Sequence, residues 1–363
     1  MPDITLDLPH HSYAVTVEPG ALTRLAGIVR DAVPSADKVV LVTDEGVEPH
    51  HGRRVAKALQ DGGIDTSVAV IPVSEKKKTL GTVRNLYEIL LENKLERGHA
   101  VVTLGGGICC DVAGFAAATY LRGVAVVQCP TTLLAMVDAS VGGKTGVNVP
   151  QGKNLIGSFH QPAAVVCDPQ VLGTLPEREL RCGLAECIKH GVIRDPELFD
   201  WIGANAPAIA GLDEAVLVEL IARNVQIKAD VVVADEREAG ERAHLNFGHT
   251  FAHAIEATSR FGTAYKHGEA VAIGMVAAAR CAEARGLCDA SVGDRVAAVL
   301  DTVGLPTRGG GLADDAILLK VMAMDKKVQG GKIRLVLPTR LGEVVIVDDA
   351  TADEVVAAWA AVR

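Results

Sequence analysis

Aromatic residues are scarce in this sequence: they make up 3% of 363 residues, although 49% of the residues are hydrophobic. Alanine, valine, leucine and isoleucine must therefore fill the core, and a chain of this length favours two domains. The sequence also lacks a basic excess, since 36 lysines and arginines against 45 acidic residues give a net charge of -9. This balance argues against a surface for nucleic acid or for acidic membranes.

Disulfide and membrane signals are also missing. The eight cysteines include no CxxC motif and mostly lie in apolar runs, which favours free thiols in a reducing compartment. No uncharged apolar run approaches the length of a membrane span, and the first residues do not have the pattern of a signal peptide. We expect a cytoplasmic protein without a nucleic-acid or membrane partner.

The pattern of hydrophobic residues changes near Pro176. Before it, short valine-rich segments alternate with helical periods, which is typical of a parallel α/β sheet with crossover helices. After it, long helical periods dominate, one of them over Leu245–Thr258. The predicted fold is a Rossmann-like α/β domain with a parallel sheet over residues 1–176, followed by a mainly α-helical domain over residues 177–363.

Two glycine-rich segments resemble phosphate-binding loops but are incomplete. Gly105–Gly107 follows a predicted strand and precedes a helix, where backbone amides can approach a pyrophosphate. The dinucleotide fingerprint needs glycine at position 110, which is Cys110, so a tight structural turn is the alternative. Gly142–Thr145 resembles the end of a P-loop. That loop requires a glycine five places before Gly143, where this sequence has Asp138, so the P-loop class of NTPase is excluded. Lys144 remains a candidate contact for a phosphate or hydroxyl group.

Two further side chains have both a structural and a functional interpretation. Asp44 follows a predicted strand and suits either an adenosine ribose or a helix cap. Lys189 lies three residues after Glu186 and therefore shares its helix face, which permits a structural ion pair or a shared substrate site.

One carboxylate and three imidazoles form a candidate metal centre. Glu186, His249, His253 and His267 supply the ligand types that a borderline cation such as Zn²⁺ prefers. His249 and His253 are four residues apart and share one helix face, although many core helices contain such a pair. The combination favours a metal enzyme.

In order along the chain, these motifs resemble the 3-dehydroquinate synthase family of sugar-phosphate cyclases. The resemblance covers nearly the whole chain and implies an NAD-binding α/β domain, a helical metal-binding domain and a homodimer. It is densest in Gly105–Phe115, Tyr120–Gly123, Pro130–Thr145, Gly152–Pro162, Ala185–Lys189, Asp235–Glu238, Leu245–His253, His267–Val271 and Asp325–Lys327.

The resemblance also implies roles for single residues. The ligands of the divalent metal, Zn²⁺ or Co²⁺, would be Glu186, His249 and His267, with His253 near the substrate phosphate. The NAD contacts would be Asp44, Glu75, Lys78, Gly106, Gly107, Asp111, Thr131, Thr132, Lys153 and Thr174. The catalytic residues would be Asp138, Lys144, Lys189, Asn246 and His253. The substrate would contact Arg122, which reaches a neighbouring subunit's site, Lys144, Asn154, Lys228, Arg242 and the pair Lys326 and Lys327.

The implied reaction is the conversion of 3-deoxy-D-arabino-heptulosonate 7-phosphate to 3-dehydroquinate and phosphate, a step of the shikimate pathway to aromatic amino acids. It combines transient oxidation by NAD, phosphate elimination, reduction and an intramolecular aldol cyclisation. Lys228, Arg242 and Asn246 favour this phosphorylated, carboxylated sugar over the substrates of valiolone- or inosose-type cyclases. An amino-dehydroquinate variant remains an alternative. A metal-dependent polyol dehydrogenase is a more distant one, and so is a non-catalytic regulator.

Overall fold

The structure is a computed structural model that describes residues 4–238, 240–259, 264–323 and 333–363. The strands are β1 (Ile4–Leu8), β2 (His11–Val17), β3 (Lys38–Asp44), β4 (Asp65–Ile71), β5 (Ala100–Gly105), β6 (Ala125–Pro130), β7 (Lys144–Val149), β8 (Gly152–Phe159), β9 (Ala164–Cys167), β10 (Leu335–Arg340) and β11 (Glu343–Val347). The helices are α1 (Leu25–Ala32), α2 (Arg53–Asp61), α3 (Leu80–Glu92), α4 (Gly107–Thr119), α5 (Glu177–Ile193), α6 (Pro196–Ala204), α7 (Ala206–Ala210), α8 (Glu214–Ala234), α9 (His249–Thr258), α10 (His267–Ala284), α11 (Ala290–Thr302), α12 (Asp315–Ala323) and α13 (Ala352–Ala361).

A seven-stranded sheet forms the first part of the chain, in the order β1-β2-β9-β6-β5-β3-β4. All neighbours are parallel except β1 and β2, so the predicted parallel sheet is confirmed and has one antiparallel edge strand in addition. Val40, Val101 and Val126 are in register across its centre and are almost completely buried. Continuous valine-rich strands suit such a sheet because helices cover both of its faces.

The chain divides into two compact units that are not continuous in sequence. The first contains the residues up to Leu180 and Leu212–Arg237, and the second contains the described residues of Arg181–Gly211 and Glu238–Arg363. Helix α8 belongs to the first unit, where it packs against β1 and β2. The second unit is mainly helical, as expected. The domain boundary after residue 176 remains a prediction.

Helix α10 lies at the centre of the second unit. It contacts α9, α11, α13 and β10, and its middle turns, Ala270–Ala279, are buried and contain five alanines and one glycine. Small side chains allow neighbouring helices to approach closely, so this unit is packed with few aromatic rings. One exception is the edge-to-face pair of Phe251 and Trp359, whose ring centroids are 5.0 Å apart.

The helix predicted over Leu245–Thr258 is interrupted, and that prediction was wrong in its first turn. Glu241–Asn246 forms a 3₁₀ turn, and Gly248 then adopts a left-handed conformation with φ 76°. A glycine tolerates this conformation without steric cost, so the chain turns there and α9 begins at His249. In the described part of the chain, no helix combines the length and hydrophobicity that crossing a membrane requires.

Candidate active site

Three helices of the second unit each contribute one residue to a cluster. Glu186 lies in the middle of α5, whereas His249 and His267 are the first residues of α9 and α10. One potential ligand atom from each lies within 4.8 Å of the others. The structure therefore brings together the three residues that the family resemblance implies as metal ligands.

The two histidines approach the same carboxylate oxygen. Glu186 Oε1 lies 3.5 Å from His249 Nε2 and 3.3 Å from His267 Nε2. This oxygen is buried, and no described group meets normal hydrogen-bond geometry with it. A buried carboxylate oxygen facing two imidazole nitrogens is a donor set that fits a divalent cation such as Zn²⁺.

The other nitrogen of each ring faces an acceptor. His249 Nδ1 lies 3.1 Å from the backbone oxygen of Phe247, and His267 Nδ1 lies 3.4 Å from Oε1 of Glu256. A proton on Nδ1 leaves Nε2 with a lone pair, which is the form of imidazole that binds a metal. We assign this tautomer to the two rings in the metal-bound form, from their hydrogen-bond partners.

Lys189 pairs with the second oxygen of Glu186, since its ammonium group donates to Oε2 in a buried ion pair. Burial alone would raise the pKa of Glu186, but Lys189 and the histidines hold this pKa well below its ordinary value. Burial lowers the pKa of His249 to about 4. Burial also opposes protonation of His267, yet Glu256 and Glu186 raise its pKa to about 10. The carboxylates of Glu186 and Glu256 thus favour positive charge at the His267 ring, either as a bound proton or as a metal ion.

Close backbone contacts bring the three helices together. A Cβ atom added to Gly268 would lie 2.3 Å from Cα of Cys182, and one added to Gly274 would lie 2.2 Å from the backbone oxygen of Gly248. These distances leave no space for a side chain. Glycine at these two positions lets α10 approach α5 and α9, which carry the other two ligand residues.

Three more predicted site residues belong to the second unit. The ring of His253 is 5.9 Å from that of His249 and lies edge-on to it. Asn246 donates through Nδ2 to Oε1 of Glu238 at 2.8 Å, and Arg242 is only 1% exposed. The predicted pair Lys326 and Lys327 lies outside the described residues.

A predicted catalytic residue, Asp138, and a predicted substrate residue, Lys228, form an ion pair in the first unit. Lys228 on α8 donates to the carboxylate of Asp138 and, at 2.8 Å, to its backbone oxygen. Lys228 is 5% exposed, so this contact offsets much of the cost of burying its charge. Lys144, at the start of β7, is exposed.

The glycine turn lies between β5 and α4, as the sequence predicts. A Cβ atom at Gly105 would lie 2.5 Å from Cβ of Cys109, and Gly106 precedes the first turn of α4 without a capping side chain. On the neighbouring strand end, the hydroxyl of Thr131 is buried and has no hydrogen-bond partner among the described residues. Thr132 accepts from the amide of Ala135 at 3.1 Å. A bare helix N-terminus beside an unsatisfied hydroxyl fits the pyrophosphate of a dinucleotide.

Asp44 makes local contacts, as a capping residue does. Its Oδ1 accepts from the amides of Gly46 and Val47 at 2.9 and 3.0 Å, and burial raises its pKa. The hydroxyl of Thr174 lies 2.7 Å from Nε2 of His51.

Lys78 is the centre of a polar network in the first unit. It is buried, pairs with Asp111 and donates to Oδ1 of Asn154 at 2.6 Å. Burial raises the pKa of Asp111, although Lys78 opposes this shift. Lys153 lies 3.7 Å from Oε1 of Glu75.

Asn148 joins these groups, and the sequence alone did not reveal it. Its side-chain amide donates to Glu75 Oε1 at 2.7 Å, its Oδ1 accepts from the amide of Asn154 at 2.9 Å, and its own amide donates to the backbone of Lys78. Its place on β7 could have suggested it only if the hairpin of β7 and β8 had been predicted.

Two predicted substrate residues have unusual backbone conformations. Arg122 and Asn154 have positive φ angles of 69° and 53°. Such angles are strained for most residues other than glycine, less so for asparagine, and occur often at functional sites. Arg122 is exposed in the 3₁₀ turn Tyr120–Arg122, which follows α4.

The sheet, the glycine turn and the Glu-His-His cluster define a class of enzyme that combines a nucleotide with a metal ion. Family models match most of the chain: "3-dehydroquinate synthase N-terminal" over residues 68–182 and "3-dehydroquinate synthase C-terminal" over residues 183–328. The chain therefore belongs to the 3-dehydroquinate synthase family.

Similar curated proteins cover almost the whole chain. A 3-dehydroquinate synthase of Synechocystis sp. is 46% identical over 98% of both chains. One of Symbiobacterium thermophilum is 44% identical over 96% of this chain and 98% of its own. The match therefore includes both compact units.

Solved structures of cyclases share the fold. 2-epi-5-epi-valiolone synthase from Streptomyces hygroscopicus, with NAD⁺ and Zn²⁺ bound, has a TM-score of 0.90 and 31% identity and covers 98% of both chains. A 2-deoxy-scyllo-inosose synthase complexed with carbaglucose-6-phosphate, NAD⁺ and Co²⁺ has a TM-score of 0.88 at 24% identity, covering 98% of this chain and 99% of its own. The predicted fold class is thus confirmed.

Proposed function

We propose that the protein converts 3-deoxy-D-arabino-heptulosonate 7-phosphate to 3-dehydroquinate and phosphate. The observation that carries this proposal is the convergence of Glu186, His249 and His267 in a chain of this family. Relatives named 3-dehydroquinate synthase at about 45% identity over nearly the full length support it.

The proposed cofactors are NAD and one divalent ion, Zn²⁺ or Co²⁺. When bound, they supply a transient hydride acceptor and a Lewis acid that polarises substrate hydroxyls. The groups that fit them are the Glu186 carboxylate with two Nε2 atoms, and the turn at Gly105–Gly107 beside Thr131.

The residues of the chain mainly bind and orient the substrate. Lys189 holds the Glu186 carboxylate in its ionised form and in one orientation. We propose that His253 contacts the substrate phosphate and that Asn154, held by Lys78, contacts a substrate hydroxyl. The remaining proposed catalytic and substrate groups are Asp138, Lys144, Asn246, Arg122, Lys228, Arg242, Lys326 and Lys327. We also keep the ten NAD contacts implied by the resemblance as proposals.

A substrate carboxylate separates this reaction from those of related cyclases. We propose that Arg242 and Lys228 bind it, because guanidinium and ammonium groups form strong charge-assisted hydrogen bonds with carboxylate oxygens. A phosphorylated sugar without the carboxylate would not form these hydrogen bonds.

We further propose a cytoplasmic homodimer. The exposed apolar residues Leu155, Ile156 and Phe159 on β8 suit a subunit contact. The exposed, strained Arg122 suits a contact to a neighbouring subunit's phosphate site.

Phosphate release tests the function. Enzyme loaded with NAD and Zn²⁺ or Co²⁺ should release one phosphate per molecule of cyclic product from the heptulosonate phosphate. One equivalent of NAD per site should support many turnovers, since the hydride returns to the substrate. A seven-carbon sugar phosphate without the carboxylate should react far more slowly.

Three results would contradict the proposal in different ways. Faster reaction of the sugar lacking the carboxylate would indicate a valiolone-type cyclase. Stoichiometric accumulation of NADH without phosphate would indicate a dehydrogenase. Release of phosphate with an aminated substrate only would indicate the amino-dehydroquinate reaction.

A further inference from the structure

A carboxylate outside the predicted ligand set lies behind His267. Glu256, in the last turns of α9, places Oε1 3.4 Å from Nδ1 of His267, on the ring edge opposite to Nε2 and Glu186. Glu256 is 6% exposed. Burial of an ionised carboxylate is costly unless donors or cations compensate it, and the ring of His267 is one group in position to do so.

The position of Glu256 on α9 explains how it reaches this ring. It follows His249 by seven residues, two helical turns, and therefore lies on the same face of the helix. That face packs against α10, whose first residue is His267. One face of α9 thus supplies a ligand residue at its start and the Glu256 carboxylate near its end.

The two ligand histidines differ in what accepts their second N–H. For His249 the acceptor is the backbone oxygen of Phe247, whereas for His267 it is the charged side chain of Glu256. An imidazole that donates to a carboxylate is a stronger electron donor and has a fixed ring orientation, and loss of such a partner typically weakens metal binding about 10–100-fold.

We propose that Glu256 is a positioning residue of the metal centre: it accepts the Nδ1 proton of His267 and directs Nε2 of that ring to the cation held with Glu186 and His249. This inference rests on the proposed function only in assuming a divalent ion at these three residues. It assigns to Glu256 a contribution to metal affinity that does not depend on the substrate.

The test compares Glu256→Gln and Glu256→Ala with the unmodified enzyme, each stripped of metal and titrated with Zn²⁺ in competition with a chromophoric chelator. The alanine variant should bind Zn²⁺ about 10–100-fold more weakly. The glutamine variant keeps an acceptor oxygen without the charge, so its loss should be intermediate. The Co²⁺ forms should show a changed visible spectrum, because the imidazole orientation alters the ligand field. NAD binding should be unchanged.

Glu283→Gln is a matched control, because Glu283 lies on α10 and pairs with Arg280 at a partly exposed position. It should bind Zn²⁺ as the unmodified enzyme does. If circular dichroism shows that the alanine variant does not fold, the Zn²⁺ affinity of the near-isosteric glutamine variant is the test of the proposal.

Zn²⁺ affinity within twofold of the unmodified enzyme in the Glu256 variants would overturn the proposal, and so would an equal loss in Glu283→Gln. An unmodified enzyme that binds neither Zn²⁺ nor Co²⁺ would overturn the metal site itself and this inference with it. An enzyme that binds metal but releases no phosphate would contradict the proposed function alone, since the titration does not depend on turnover.

Discussion

Glu186 and Lys189 are both almost completely buried and form an ion pair three residues apart on α5. Buried ion pairs often contribute little net stability, whereas loss of one partner costs about 3–5 kcal/mol. Such a pair beside two imidazoles is better explained by the ion that the site binds. At the scale of single residues, the cost of burial therefore indicates function.

The metal ligands and His253 should respond differently to substitution. Glu186→Gln, His249→Ala and His267→Ala should each lose bound metal and turnover, because each removes one of three converging donor atoms. His253→Ala should lose activity but retain metal, since its ring lies beside His249 and outside that set.

Metal content after dialysis, measured by atomic emission, checks this prediction. Circular dichroism provides the control for folding. A His253→Ala enzyme without metal, together with a His267→Ala enzyme that keeps it, would show that the i, i+4 pair binds the ion instead.

At the scale of helices, glycines determine how closely the ligand residues approach. Gly268 and Gly274 on α10 face the backbones of Cys182 and Gly248, at distances that exclude a Cβ atom. The metal centre thus depends on backbone contacts made away from the ligands themselves.

Gly274→Ala should weaken both folding and metal binding. The added methyl group must displace the backbone at Gly248, immediately before His249, and such overpacking costs about 1–3 kcal/mol. The expected result is a lower unfolding temperature and a weaker Zn²⁺ affinity in the chelator competition.

Gly203→Ala is the matched control. Gly203 is a helical glycine of the same unit, in α6, and a Cβ atom there would make an ordinary 3.4 Å contact with Val299. This variant should keep or slightly raise its stability, because alanine favours helices. Equal changes in unfolding temperature and Zn²⁺ affinity for both substitutions would mean that the close contact at Gly274 does not determine the geometry of the metal centre.

The sequence predicted elements with a strong local pattern and missed those without one. Helix α5 was expected from Pro176 and its helical period, and the valine-rich strands of the sheet from theirs. The hairpin of β7 and β8 was missed because its glycines and exposed apolar residues give no clear alternation. With it, the role of Asn148 was missed as well.

Prediction of the site had a similar limit. The spacing of His249 and His253 is visible in the sequence, but the approach of Glu186, His249 and His267 depends on how three helices pack. The ligand types indicated four candidate residues, and only the family resemblance separated His253 from the other three. Glu256 was not indicated at all, because a carboxylate seven residues after a histidine has no meaning until α10 is placed beside it.

For the molecule as a whole, the scarcity of aromatic residues is balanced by small apolar side chains, cysteines included. Of the eight cysteines, seven are buried and Cys288 is partly exposed, and none forms a disulfide. Burial raises the pKa of Cys110 to about 12 and that of Cys281 to about 11. These thiols act as core residues.

The folded enzyme should therefore react with at most one equivalent of iodoacetamide at pH 8. Alkylation requires an accessible thiolate, and burial hides seven of the thiols and raises the pKa of six of these. Cys288 is the single candidate, and its reaction should be slow because burial raises its pKa too. In denaturant all eight should react, as counted by intact-mass spectrometry, and Cys288→Ser should abolish labelling of the folded form. Two or more equivalents on the folded enzyme would mean that a core around these cysteines opens on the timescale of the reaction.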